Sequence, residues 1–391
     1  MAYSQELNHV LRLPIKGTFN VARYKESILE AIALTRGVPA EEALPAAKIG
    51  EALEAALQKN GPVILQYGNI GGYPPLRQYL AEQYKVNPNE ILIGNGSLHL
   101  QDLFAGTVIK PGDTVLTEQP SYDRAIKTFR RRGAKVYGVP MEADGLNLAL
   151  LEEELKRQVP AFLYIVPDFQ NPAGLSTSYE KRKALVELAD KYNFWIIEDV
   201  PYRNLRYRGE AIPLLREINP AHIVTMSSFS KLISPALRVG YMVAPADLIA
   251  RVTRLAEETI LSPVLPTQAV VAEFVQRGWL DENIASLKAL YEPRLDAMIA
   301  AIRKYLPDVT FTPPDGGFFV SIVLPETANY ANLVERAQAV KLALTDGKTF
   351  FADPLPGQDD TVKDRFVRLP FCAITPAQIE EGVRRLAELV K

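Results

Sequence analysis

Polar side chains of the kinds used in catalysis follow three predicted strands in the middle of the chain. The predicted strands are residues 162–166, 194–197 and 223–226. The polar side chains that follow them are, in order, Asn171, Asp199, Tyr202, Lys231 and Arg238. A lysine amine can bond covalently to an aldehyde, a carboxylate can pair with a cationic ring nitrogen, and an arginine can bind phosphate or carboxylate.

The predicted strands should bring these side chains together. Short apolar runs rich in β-branched and aromatic residues are typical of strands buried on both faces. Apolar residues at helical spacing separate the first two runs, which predicts a strand–helix–strand unit with parallel strands. These residues are Ala184, Leu185, Leu188, Ala189 and Tyr192. Because ligands bind outside the carboxyl ends of parallel strands, the polar set should line one site.

A fourth predicted strand, Ile91–Ile93, runs into a glycine-rich turn and a helix that begins at Ser97. The free N–H groups and the positive dipole end of such a helix favour an anion. An ordinary capped turn is the alternative for this segment taken alone.

The combined set fits pyridoxal 5'-phosphate, which needs a lysine, a carboxylate for the ring nitrogen, a polar partner for the ring oxygen and an anion cradle. The residues that could meet these needs are, in that order, Lys231, Asp199, Asn171 with Tyr202, and the Gly96–Ser97 turn with Arg238.

The chain resembles the fold-type I pyridoxal-phosphate aminotransferases of class I/II. It is most similar to the branch containing 2-aminoadipate aminotransferase, kynurenine aminotransferase II and the catalytic domains of MocR-type regulators. The resemblance rests on eight motifs that occur in the family's order. They are Gln66-Tyr67 with Gly72–Arg77, Gly96-Ser97, Pro120–Tyr122, Gln170–Gly174, Glu198–Tyr202, Ser228–Lys231 with Arg238, Gly316–Phe319, and Arg368-Leu369.

The resemblance implies roles around the cofactor ring. Lys231 would hold the cofactor as a Schiff base and carry the proton between the substrate Cα and cofactor C4′. Asp199 would pair with the pyridinium nitrogen, Asn171 and Tyr202 would bind the ring oxygen, and Tyr122 would stack on the ring.

The resemblance also implies how the phosphate, the substrate and a second subunit are bound. The expected phosphate ligands are Ser97, the N–H of Leu98, Ser228, Ser230 and Arg238. Tyr67 would reach the phosphate of a neighbouring subunit, which implies a homodimer with shared sites. Arg368 would bind the substrate α-carboxylate with help from Asn171.

The expected fold is α/β, with a large domain whose mostly parallel sheet is sandwiched by helices and a smaller α+β domain. The large domain would span 55–280, and the small domain would combine 1–54 with 281–391. Two local expectations are a helical region over about 20–60, with Ile28, Ile32 and Leu34 facing a core, and a strand over Lys348–Phe351.

Composition narrows the class of protein. The 391 residues carry a net charge of −2, which gives no general attraction to nucleic acid or anionic membranes. The single cysteine, Cys372, excludes an intrachain disulfide, and the three scattered histidines show no metal cluster. With no signal-peptide pattern or long apolar span, we expect a cytoplasmic protein that binds neither nucleic acid nor membrane.

The expected activity is transfer of an amino group from an L-amino acid to a 2-oxo acid by ping-pong chemistry. The alternative with the same cofactor site is a lyase, decarboxylase or oxidase. It is motivated by a shortened N-terminal segment in which Arg36 stands where relatives have glycine. Arg23 and Arg36 are candidates for binding the side chain of an acidic substrate.

Two further classes are disfavoured. A regulator's effector domain would follow a DNA-binding module, for which the N-terminus is too short. A serine acyl-transfer enzyme would need partner motifs that are missing around Ser228 and Lys231.

Overall fold

The computed structural model describes residues 31–391 and contains one large sheet. Its strands are, in spatial order, β12 (Asp353–Pro354), β4 (Lys135–Glu142), β3 (Thr114–Gln119), β6 (Phe162–Ile165), β7 (Trp195–Asp199), β8 (Ile223–Ser228), β9 (Gly240–Val243) and β2 (Ile91–Gly94), and β5 (Gly145–Leu146) pairs with β4. Pairing is parallel from β12 to β8, whereas β9 is antiparallel to both of its neighbours.

The described residues form twelve α-helices, and some of them cover the two faces of this sheet. The helices are α1 (Ala46–Ile64), α2 (Pro74–Tyr84), α3 (Ser97–Val108), α4 (Asp123–Arg131), α5 (Leu148–Arg157), α6 (Tyr179–Tyr192), α7 (Leu215–Ile218), α8 (Ala246–Ile260), α9 (Leu265–Gln276), α10 (Trp279–Tyr305), α11 (Leu333–Ala339) and α12 (Pro376–Val390). Along β6, Phe162 and Tyr164 belong to one buried cluster, and Leu163 and Ile165 belong to another. Since neighbouring side chains of a strand point to opposite faces, each face has its own core. The predicted α/β class and the parallel β6–α6–β7 unit are confirmed.

Two further strand pairs lie outside the large sheet. β10 (Phe319–Val323) is antiparallel to β13 (Phe366–Pro370), and β1 (Ile32–Leu34) is parallel to β11 (Leu342–Leu344). The division into domains at 55–280, with the two ends of the chain together, stays a prediction.

Two local predictions were wrong. Ile32 and Leu34 are buried with exposed Ala33 between them, because they belong to strand β1 rather than to a helix; Ile28 lies outside the described residues. The segment predicted as strand Lys348–Phe351 begins in a 3-10 helix, Gly347–Phe350. There the Asp346 carboxylate accepts a hydrogen bond from the Lys348 N–H and favours the turn.

Candidate active site

A cavity of about 430 Å³ lies at the carboxyl ends of the parallel strands. Every predicted site residue except Tyr67 lines it. Those residues are Ser97, Leu98, Tyr122, Asn171, Asp199, Tyr202, Ser228, Ser230, Lys231, Arg238 and Arg368. The structure therefore brings together side chains that are up to 271 positions apart in the chain, from Ser97 to Arg368.

Asp199, the last residue of β7, presents one free carboxylate oxygen. Its Oδ2 accepts hydrogen bonds from Gln101 Nε2 at 2.7 Å and from the Tyr164 hydroxyl at 2.8 Å. Its Oδ1 is buried and has no partner among residues 31–391. Burial raises the pKa of Asp199 to about 7 against the opposing effect of its two donors. A cationic ring nitrogen at Oδ1 would compensate this buried charge.

Gln101 and Tyr164 were missed by the sequence reasoning. Gln101 lies one turn after Ser97 on α3, so the i, i+4 spacing of a helix could have indicated it. Tyr164 lies within the apolar strand β6, where its ring reads as core and only its hydroxyl is polar.

Lys231 lies beyond the end of β8 and is partly buried. Its Nζ donates a hydrogen bond to the Gly37 carbonyl at 2.7 Å. Burial lowers the pKa of its amine, and the positive charges of Arg238 and Arg368 lower it further. An amine in such a place gives up its proton more readily than a surface lysine.

An anion cradle forms where the start of α3 meets β9. Gly96 has a φ of +89°, and a Cβ on it would lie 2.2 Å from an Arg238 Nη2 atom. A Cβ on Gly240 would lie 2.5 Å from the Ser97 backbone nitrogen. Both positions therefore require glycine for the close approach of Arg238 and the helix N-terminus.

Ser228, the last residue of β8, and Ser230 lie at the same cradle. The Ser228 Oγ donates to Ser230 Oγ at 2.8 Å and accepts from the Ser230 N–H at 3.0 Å. The Arg238 guanidinium lies 3.5 Å from Ser230 Oγ. Hydroxyls, free N–H groups and a guanidinium are the donors that a phosphate requires.

Arg368, which lies on β13, also lines the cavity. Its Nη1 donates to the Asn171 Oδ1 at 2.9 Å, and its Nη2 donates to the Thr35 carbonyl. Its guanidinium lies 4.9 Å from the Phe319 ring centre and 4.4 Å from that of Phe350. The Nε atom is buried without a partner in the described part of the chain. A guanidinium fixed in this way suits a planar carboxylate.

Tyr122 and Tyr202 bring two aromatic side chains to the cavity. Burial raises the pKa of Tyr122 to about 12, so its hydroxyl stays protonated. Tyr202 is buried, contacts Phe319 edge-on and contacts Phe318 in a tilted arrangement. Tyr67 lies apart from the cavity with 75% of its surface exposed.

Residues 35–42, which we call the cover segment, lie at the remaining wall of the cavity, which residues 35–38 line. The Thr35 carbonyl accepts from Arg368 and, at 2.8 Å, from the Thr345 hydroxyl. The Tyr291 hydroxyl accepts from the Ala40 N–H at 3.2 Å. The sequence reasoning missed these contacts.

Of the two arginines that are candidates for recognising the substrate side chain, one lies in the described part of the chain. Arg36 belongs to the cover segment, is exposed, and forms no ion pair within residues 31–391. Arg23 lies outside the described residues.

A second cavity, of about 820 Å³, is lined by Tyr84, Arg203 and Arg216 among others. Of the predicted site residues it includes Ser228 alone. The described residues contain no group of three or more His, Cys, Asp or Glu side chains placed to bind a metal ion. None of the helices between residues 31 and 391 combines the length and apolar character required to cross a lipid bilayer.

Comparison with known proteins identifies the family. The sequence pattern of the family Aminotransferase class I and II matches residues 31–386. The chain is 36% identical to a 2-aminoadipate transaminase of Thermus thermophilus, over 91% of this chain and 89% of the relative. It is 34% identical to an aromatic-amino-acid aminotransferase of Thermococcus litoralis, over 93% of this chain and 88% of the relative.

Solved structures support the same family assignment. The structure of the α-aminoadipate aminotransferase of Thermus thermophilus, complexed with N-(5'-phosphopyridoxyl)-L-leucine, has a TM-score of 0.86 at 33% identity, with 94% and 93% of the two chains covered. The chain therefore belongs to the class I and II aminotransferases, and pyridoxal phosphate is its cofactor. The free Oδ1 of Asp199 and the cradle between Gly96 and Gly240 fit that cofactor.

Proposed function

We propose that this aminotransferase moves an amino group from an L-amino acid to a 2-oxo acid in two half-reactions, with Lys231 at the centre of both. The observation that carries the proposal is that Lys231, the free Oδ1 of Asp199 and the guanidinium of Arg368 line the same cavity. When bound, pyridoxal phosphate supplies a ring that accepts the electron pair left at the substrate Cα after its proton is removed.

Lys231 would hold the cofactor aldehyde and then act as the base that moves the Cα proton. A base must be neutral to accept a proton, and the lowered pKa of Lys231 favours the neutral amine.

Asp199 would keep the ring nitrogen protonated through its Oδ1. Gln101 and Tyr164 fix the orientation of the carboxylate by holding its other oxygen. Asn171 and Tyr202 would bind the ring oxygen, and Tyr122 would stack on the ring and hold it flat.

The phosphate would lie in the cradle at the start of α3. Its proposed ligands are the Ser97 hydroxyl, the Leu98 N–H, the hydroxyls of Ser228 and Ser230, and the Arg238 guanidinium. Arg238 would contribute most, since a charged donor forms the stronger hydrogen bonds.

Arg368 would bind the substrate α-carboxylate on the other side of the ring. The Asn171 Oδ1 contact holds one arm of the guanidinium and so orients the fork toward the substrate. The two aromatic rings beside it shield the pair from water, which strengthens the interaction.

The active unit would be a homodimer. Exposed apolar side chains are concentrated around Tyr67, at the end of α1 and in the α8–α9 turn. They are Val63, Leu65, Leu261 and Val264, each 47% exposed or more. The Gly68 N–H donates to Ser262 Oγ at 3.0 Å, so these two segments are neighbours. Such a patch is typical of a contact between subunits, and it would carry Tyr67 toward the partner's phosphate.

The absorbance of the cofactor-loaded protein tests the proposed reaction. An L-amino acid should shift the absorbance band of the bound cofactor, and a 2-oxo acid added afterwards should restore it. Failure to restore the band, with ketone formed from one amino acid over many turnovers, would instead favour the lyase, decarboxylase or oxidase alternative. A cytoplasmic location and the absence of nucleic-acid binding stay predictions.

A further inference from the structure

A buried glutamate joins the turns that carry Tyr122 and Asn171. Glu118 lies near the end of β3 and has no exposed surface. Its Oε2 accepts a hydrogen bond from the Val166 N–H at 3.0 Å and another from the Gln170 Nε2 at 2.9 Å. The same Gln170 nitrogen donates to the Pro120 carbonyl at 2.8 Å. One carboxylate and one amide thus link the end of β3 to the turn after β6.

Gln170 also fixes the turn that contains Asn171. Its Oε1 accepts from the Ala173 N–H at 2.7 Å, and its backbone N–H donates to the Leu175 carbonyl at 2.8 Å. Asn171 lies between these anchored positions. The Oδ1 of Asn171, which accepts from Arg368, therefore has little freedom to move.

The protonation state of the Glu118 carboxyl suits a buried group that accepts two hydrogen bonds. Its Oε1 is buried without a partner in the described chain, and burial raises the pKa of the group to about 8. A carboxyl that keeps its proton at neutral pH avoids a buried charge. Its carbonyl oxygen can still accept both hydrogen bonds.

We propose that Glu118 and Gln170 are positioning residues that align Asn171, and through it Arg368, with Tyr122 across the cavity. This inference rests on the proposed function, because the aligned groups are those assigned to the cofactor ring oxygen and the substrate carboxylate. Neither Glu118 nor Gln170 lines the cavity, so they act through the side chains that do.

Three variants of the cofactor-loaded enzyme test the alignment. Glu118→Leu removes the acceptor at similar volume, whereas Glu118→Gln keeps an acceptor oxygen. Glu154→Leu is the control, because Glu154 is also buried but pairs with Arg157 on helix α5, away from the cavity. The measurements are kcat and KM for an amino acid and the pH titration of the cofactor absorbance, which depends on the partners of the ring oxygen.

We expect Glu118→Leu to lower kcat/KM by about 10- to 100-fold, as for a small misplacement of substrate-binding groups, and to shift the absorbance titration. Glu118→Gln should recover activity to within about fivefold of the wild type, as expected when the acceptor is kept. Glu154→Leu should leave the absorbance titration as it is in the wild type, even if it lowers the melting temperature as much as Glu118→Leu does.

The inference fails if Glu118→Leu lowers only stability, or if Glu118→Gln is as impaired as Glu118→Leu. A crystal structure of Glu118→Leu tests the alignment even if the proposed reaction is wrong. We expect the Asn171 Oδ1 to move away from the Arg368 Nη1, which lies 2.9 Å from it in the native protein. An unmoved Asn171 would overturn the inference, whereas an absorbance band that a 2-oxo acid does not restore would count against the proposed function alone.

Discussion

The wall formed by the strand ends and the wall formed by the cover segment hold their functional groups in different ways. At the strand ends, side chains support side chains: Gln101 and Tyr164 hold Asp199 through buried hydrogen bonds. In the cover segment, backbone atoms are held by distant groups, and the Gly37 carbonyl accepts from Lys231, 194 positions away.

This difference separates positions that need a particular side chain from positions that need a particular backbone placement. The strand-end wall depends on residue types, since only certain side chains pair with a ring nitrogen or a phosphate. The cover segment depends on backbone position, since its Gly37 carbonyl contacts Lys231 while its Arg36 side chain is exposed. We therefore expect substitutions in the strand-end wall to affect the catalytic step most. Substitutions in the cover segment should affect substrate binding most.

Asp199→Asn should give the largest effect. Asparagine keeps the size of the side chain but removes the charge that would hold the ring nitrogen protonated. We expect kcat/KM to fall by about 10²- to 10³-fold, as for loss of one preorganised electrostatic partner. Steady-state kinetics with a fixed amino acid and oxo acid would measure this, and full activity in the variant would remove Asp199 from the mechanism.

The same carboxylate should make the stability of the cofactor-free protein depend on pH. The folded protein holds a proton on Asp199 up to about pH 7, whereas the unfolded chain releases it near pH 4. Its contribution is therefore fully present below about pH 4 and is lost as the pH rises through about 7.

The difference in unfolding free energy between wild type and Asp199→Asn isolates this contribution, because Glu118 titrates in both proteins. That difference should shift against the wild type by at most about 4 kcal/mol between low pH and pH 8. Denaturant titrations at several pH values would measure it, and a flat difference would contradict the raised pKa.

Gly37→Ala should give a smaller effect, and chiefly on substrate binding. A Cβ at this position would lie 2.2 Å from the Phe319 ring, which is buried and cannot move freely. We expect a loss of about 1–3 kcal/mol in stability and a raised KM for the amino acid as the cover segment shifts. Gly50→Ala is the matched control, since nothing lies within 4 Å of its Cβ. Equal behaviour of the two variants would show that the cover segment is not tightly packed.

The sequence predicted that the side chains of the strand-end wall lie together, because its signals are local. The functional side chains of that wall lie at or after the ends of apolar runs, and the parallel pairing of β6 with β7 follows from the helical run that connects them. The cover segment was harder to predict. Ile32 and Leu34 are two positions apart, the period of a strand, but β1 is only three residues long and its partner β11 lies about 310 positions away.

The hydrogen bonds that support the site residues could not be predicted from short stretches of sequence either. The hydrogen bonds of Asp199 with Gln101 and of Glu118 with Gln170 join residues 98 and 52 positions apart. The side chains of Gln101 and Glu118 pair with residues that are distant in the chain, so their roles become visible only when the strands are assembled.

The most direct test of the account is to identify the lysine that holds the cofactor. Borohydride reduction of the loaded enzyme, followed by digestion and mass spectrometry, should find the phosphopyridoxyl group on the peptide containing Lys231, and Lys231→Ala should carry none. A label on another lysine, or an equal label in Lys231→Ala, would contradict the central assignment.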